Sequence, residues 1–291
     1  MARSGRAEPP ARPEMRITIL RHVRYAAVTV ALATLSSACA GHGRADTGRA
    51  FGGDAAMHTL VLMLDGVPFE VMDSLRRAGH FAGFPRPSKL VSPFPSLTQV
   101  AFGSIWGESP SPGYEDRYFD PGRNRIAGGL LEHLIRPEEH GGFLRHVEVA
   151  TDPITAGVAY LTPLPAARRE LVDLRRDLHR RAAFDSIVVA YLVATDAIGH
   201  RAGRDDLVEH LLEIEDMLAE LRARYGRDLR IILFSDHGND GVPTRRVHLE
   251  DALRAAGFNV ASRIADADDV VLPRFGLVGS AFLYGAPGTE A

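Results

Sequence analysis

The chain has 291 residues, 45% of them hydrophobic and 24% charged, with a formal net charge of −3. Such a composition can bury a full core and belongs to a globular protein of one large domain, or one domain plus a leader. Residues 1–38 hold six Arg against two Glu, and without them the body carries about −7, so nucleic acid is not an expected main partner.

Taken in chain order, the first predicted element is a secretory leader over residues 1–38. A basic stretch with Arg16, Arg21 and Arg24 precedes an apolar run from Ala26 to Leu35 and the small residues Ser36-Ser37-Ala38. The run is about half the length of a stable membrane-crossing helix, so a processed leader is expected and a permanent anchor is not. Cys39, the only cysteine, follows at a place that resembles the lipobox of bacterial lipoproteins, although Leu35 stands four residues before it where three is usual. The expectation is an exported protein, periplasmic or at the cell surface of a bacterium, held to the membrane through a lipid on Cys39. An ordinary cleaved signal peptide with an incidental cysteine is the alternative, and neither permits an internal disulfide. Residues 39–56, rich in Gly, Ala and Arg, read as a flexible tether, which leaves 57–291 as the folded domain.

From His58 onward short apolar runs alternate with segments of helical spacing, the pattern of a sheet flanked by helices. Strands are predicted over Thr59 to Leu64, Ser186 to Val193 and Leu229 to Phe234, each apolar enough to be covered on both faces. Leu207 to Arg224 reads as a core-packing helix, and Ser280 to Tyr284 as a further strand. The Pro- and Gly-rich stretch from Ser109 to Gly142 is expected to be a long loop or small insertion. His133, His140, His146, His179 and His210 are expected at the surface, and Trp106 and Tyr114 in packing roles.

Acids and histidines stand where these strands end. Asp65 closes the first (LVLMLDG), Asp196 and His200 follow the second (VVAYLVATDAIGH), and Asp236 and His237 close the third (RIILFSDHG). In open α/β sheets ligands bind beyond the carboxyl ends of the strands, so the three loops should meet. Carboxylates and imidazoles gathered there suit zinc, manganese or iron. In FPSLTQVAFGSIWG, Thr98 stands after a proline-containing turn and before a predicted helix, placed to act as a nucleophile at an anion-binding helix end. Ser96 is a rival hydroxyl that would instead cap the helix, and Asn239 and Asp240 read as turn residues. The chain lacks any G-x-x-x-x-G-K sequence, which removes the nucleotide-binding P-loop.

Through LDG, PSLT with the following FGSIWG, DAIGH and SDHG, in that order, the chain from His58 onward resembles the alkaline phosphatase superfamily. The likeness is to its type I phosphodiesterase and nucleotide pyrophosphatase branch. The resemblance implies an α/β fold with a mostly parallel central sheet and helices on both faces. It also implies two divalent ions, zinc above all with manganese as the other choice, and a small phosphate-ester substrate. Asp65, Thr98, Asp236 and His237 match the ligands of one ion, Thr98 also matching the nucleophile, while Asp196 and His200 match two ligands of the other. The family's third ligand to that ion, a histidine well beyond SDHG, has no match here, since only His248 follows His237. Three expectations follow side by side: a C-terminally incomplete chain, His248 as a substitute, or a weakly held second ion. The competing functions are a catalytically silent lipoprotein that keeps the fold as a binding module and, ranked lower, a sulfatase-like hydrolase. The latter lacks an Arg soon after Thr98. Monoester and diester substrates stay open.

Overall fold

A computed structural model of the chain describes residues 58–108, 117–128, 142–180, 187–226, 229–243, 245–274 and 279–288. The leader, Cys39, the tether, Tyr114, His133, His140 and most of the expected Ser109–Gly142 loop lie outside the described residues. The first elements are β1 (His58–Leu64), α1 (Phe69–Arg77), α2 (Thr98–Trp106), β2 (Tyr118–Asp120) and β3 (Arg125–Ala127). A short 3-10 helix (Gly142–His146) leads to β4 (Val149–Ala150), α3 (Pro153–Val158), α4 (Pro163–Arg180) and β5 (Ile187–Leu192). Then come α5 (Ala194–Arg201), α6 (Arg204–Tyr225), β6 (Leu229–Ser235), α7 (Leu249–Ala255), β7 (Asn259–Ala261), β8 (Asp269–Val271) and β9 (Tyr284–Gly285).

The three predicted apolar strands β1, β5 and β6 pair as a parallel sheet, joined at one edge by the short, unpredicted β4, in the order β4-β5-β1-β6. Residue alternation divides β1 and β5 between two cores. Leu60, Leu62 and Leu64, with Val188, Ala190 and Leu192, pack against α1, α4 and α6. Val61, Met63, Val189 and Tyr191 face Phe102 of α2 and Phe143 of the 3-10 helix. Both faces of the sheet are therefore covered by helical elements, as the near-continuous apolar runs require. Coverage of β6 is thinner than the sequence suggests: only Leu229 is fully buried, and Ile231 to Ser235 are half-buried on a strand with a single sheet neighbour among the described residues.

Two further expectations are corrected. His210 is 3% exposed, because α6 buries the stripe Leu207, His210, Leu211, Ile214, Met217, Leu218 and Leu221, and position 210 falls inside it. The last predicted strand shrinks to Tyr284–Gly285, paired antiparallel with Val270 and Val271. Extending it towards Ser280 would bring it opposite Pro273, which has no N–H to give to the ladder. None of the described helices is long and apolar enough to cross a membrane.

Register places the site. Leu64 lies beside Leu192 on one flank and Ser235 on the other, so all three strands end in one row. Asp65, Val193 and Asp236 leave the sheet side by side, and the residues after them converge.

Candidate functional site

Asp65 is 2% exposed and is tied to the neighbouring strand by its own N–H, which donates to the Leu192 carbonyl at 3.0 Å. Its Oδ2 accepts the Tyr191 hydroxyl, and its Oδ1 accepts the Thr98 hydroxyl at 3.0 Å. Thr98 is the first residue of α2; Leu97 precedes it as a cap with no side-chain bond, and Ser96 is exposed and makes no capping contact. Of the two hydroxyls, that of Thr98 faces the acids.

His237 Nε2 lies 3.2 Å from Thr98 Oγ1, 3.5 Å from Asp65 Oδ1 and 3.4 Å from Asp236 Oδ2. Its Nδ1 is 3.0 Å from the Gly238 carbonyl oxygen, which can only accept, so Nδ1 is the donor in that contact and the ring is held with Nε2 towards the site. Asp236 Oδ1 accepts the Gly66 N–H at 3.1 Å, whereas its Oδ2 is buried and has no hydrogen-bond partner among the described residues. A buried carboxylate oxygen left in this way is costly unless a cation or donor meets it.

Asp196 and His200 stand one turn apart on α5, with His200 Nε2 3.3 Å from Asp196 Oδ1. The Tyr160 hydroxyl donates to Asp196 Oδ2. Asn239, read from sequence as a turn residue, is a strut between loops: its Nδ2 donates to the Gly66 carbonyl at 2.8 Å and to Asp196 Oδ1 at 3.3 Å, while its Oδ1 accepts the Gly241 N–H at 3.1 Å. His248, the considered substitute ligand, is exposed at the start of α7.

The electrostatics split the acids into two groups. Burial, and then the Asp236 and Asp196 carboxylates, push the pKa of Asp65 well above the usual range, and burial pushes up Asp236. Asp196 goes the other way, because the bond and charge of His200, together with Tyr160, outweigh its burial. His200 rises in return through its bond to Asp196. Asp65 and Asp236 are thus short of positive charge in a way that one divalent ion would relieve. The ligand atoms of Asp65, Asp236 and His237 lie within 4.8 Å of one another, and oxygen and nitrogen donors of this kind fit such an ion. Asp196 and His200 are outside that trio.

Residues 150–283 match the family model of type I phosphodiesterase / nucleotide pyrophosphatase. The matched family is a member of the alkaline phosphatase superfamily. The matched segment includes Asp196, His200, Asp236 and His237, and it begins after Asp65 and Thr98, which the register of β1 and the placing of α2 bring to the same point. No curated protein and no solved structure matches the chain. The parallel sheet with helices around it is consistent with the alkaline phosphatase-like α/β fold, and the matched family is one of phosphate-ester hydrolases.

Tyr191, Tyr160 and Glu170 are site-supporting residues that sequence reasoning did not single out, and Asn239 is one that it read as a turn residue. Glu170 carried the one usable signal, a charged residue inside the apolar stripe of α4.

Proposed function

We propose that the protein hydrolyses phosphate esters with Thr98 as nucleophile and two divalent ions, zinc or manganese, as cofactors. The observation that carries this reading is a single hydroxyl, Thr98 Oγ1, which donates to Asp65 Oδ1 and lies 3.2 Å from His237 Nε2, beside an Asp236 Oδ2 that accepts no hydrogen bond among the described residues. Asp65, Thr98, Asp236 and His237 would hold one ion, and Asp196 with His200 would contribute to the other. When bound, such ions neutralise phosphoryl charge and make a hydroxyl or water a stronger nucleophile at neutral pH.

The chain's own residues supply the rest. Asp65 Oδ1 orients Thr98 Oγ1 and stands ready to accept its proton as the Oγ1–phosphorus bond forms and the ester P–O bond breaks. Water then cleaves the phosphothreonine, releasing phosphate or a phosphomonoester and restoring the hydroxyl. Tyr191 fixes Asp65 from behind, and the start of α2 presents backbone N–H groups towards the phosphoryl oxygens. The Asp196–His200 pair faces the same space from α5 and suits the leaving oxygen. Phosphodiesters and phosphomonoesters both carry the P–O ester bond that this chemistry breaks. The leader and Cys39 complete the proposal: an exported enzyme tethered to a membrane by lipid.

Thr98→Ala tests the nucleophile. Turnover should fall to background while the circular dichroism spectrum and metal content stay those of the parent, and an undiminished rate would remove Thr98 from the mechanism.

A further inference from the structure

Glu170 stands on α4 within the buried stripe Ala166, Ala167, Leu171, Leu174 and Leu178, and it is 3% exposed. A charge so placed costs stability unless something specific meets it. Its Oε1 accepts the Val193 N–H at 2.8 Å and the Thr151 hydroxyl, and its Oε2 accepts the Ala194 N–H at 3.2 Å. The two amides are those at the start of α5, where the capping position is Val193, a residue whose side chain cannot accept a hydrogen bond. The helix that carries Asp196 and His200 therefore receives its cap from another element. Burial pushes the Glu170 pKa up to about 7, so the fold keeps this carboxyl in place against its own solvation preference.

The seat of α5 is tight at its other contacts. A Cβ on Gly66 would lie 2.0 Å from Asp196 Oδ1, and one on Gly199 would lie 2.3 Å from Asn239 Nδ2. Small displacements of the helix are thus translated directly into displacement of the Asp196 and His200 side chains.

We propose that Glu170 is a positioning residue that, by capping α5 from α4, sets the place of Asp196 and His200 and thereby the affinity of that pair for a divalent ion. The proposal rests on the reading that this pair holds the second ion. Glutamine is a sharp probe, because both oxygens of Glu170 face donors and an amide must turn its NH2 group towards one of them.

The experiment is calorimetric titration of zinc alone into metal-stripped wild type, Glu170→Gln, Thr151→Val and His200→Ala, with thermal unfolding in parallel. Wild type should show two binding events. Glu170→Gln should weaken the event that His200→Ala removes by about 10- to 100-fold, the range expected for loss of an outer partner, and leave the other within about threefold. Thr151→Val takes away one donor to Glu170 while leaving the carboxyl group and its bonds to the α5 amides in place, and should weaken the same event less; it carries the test if Glu170→Gln does not fold. Two wild-type events with neither altered in a folded variant would overturn the role of Glu170 alone. A wild type with one event would overturn the two-ion reading and this role with it.

Discussion

Gly66 links the two halves of the site, and adding one methyl group there is a stringent test of the geometry. Its φ is +63°, and a Cβ would sit 2.0 Å from Asp196 Oδ1 and 2.7 Å from Asp196 Cβ and Cγ, where ordinary contact begins at 3.4 Å. The left-handed backbone should cost Gly66→Ala about 1–2 kcal/mol and the overpacking about 1–3 kcal/mol more. Relief requires the Asp196 carboxylate to retreat by over an ångström, which at a catalytic centre is worth about 100-fold in rate. Gly107→Ala is the control: its φ is +71°, with nothing within 4 Å of the added Cβ, so it carries the backbone strain without the clash. Denaturant unfolding and kcat/KM on bis(p-nitrophenyl) phosphate should show Gly107→Ala losing about 1 kcal/mol with activity kept, and Gly66→Ala losing more of both. Equal behaviour of the two variants would refute the claim that Gly66 is required by its closeness to Asp196.

Asn239→Ala removes donors to the Gly66 carbonyl and to Asp196 Oδ1. Unfolding free energy should drop by about 1–2 kcal/mol and activity by about tenfold, and unchanged values of both would return Asn239 to an ordinary turn residue. His210 gives a pH prediction with a definite sign. Burial lowers its pKa from the ordinary 6.5, against the opposing Glu213 partner, so just below pH 6.5 the unfolded chain binds a proton that the folded protein does not. Stability should therefore fall as pH drops through that window, and His210→Leu should flatten the dependence; identical slopes for both proteins would exclude His210 as its source.

Much of this site is legible in the sequence because its main residues sit at strand ends. Asp65 and Asp236 each follow an apolar run, and the parallel register that aligns Leu64, Leu192 and Ser235 follows from burying those runs side by side. The supporting residues are harder to read, since their partners come from distant elements. Tyr191 reads as one more buried strand residue until its pairing with Met63 shows that its hydroxyl lies beside Asp65, two positions further along the same face. Asn239 looks like a turn former because its acceptors, in the loop after β1 and on α5, lie 173 and 43 residues away. His210 was legible in principle: its spacing from Leu207 and Ile214 puts it on the buried stripe, and polarity misled where periodicity would not have.

The central claim is metal-dependent phosphate-ester hydrolysis at Thr98. Its most direct measurement is the rate of p-nitrophenol release from mono- and bis(p-nitrophenyl) phosphate by chelator-stripped protein, with zinc or manganese added back and Thr98→Ala alongside. The stripped protein should show no turnover, at least one ester should be cleaved once the ion returns, and Thr98→Ala should cleave neither at any ion concentration. A folded, ion-loaded wild type that cleaves neither ester, or a Thr98→Ala protein that cleaves as fast as wild type, would contradict that claim.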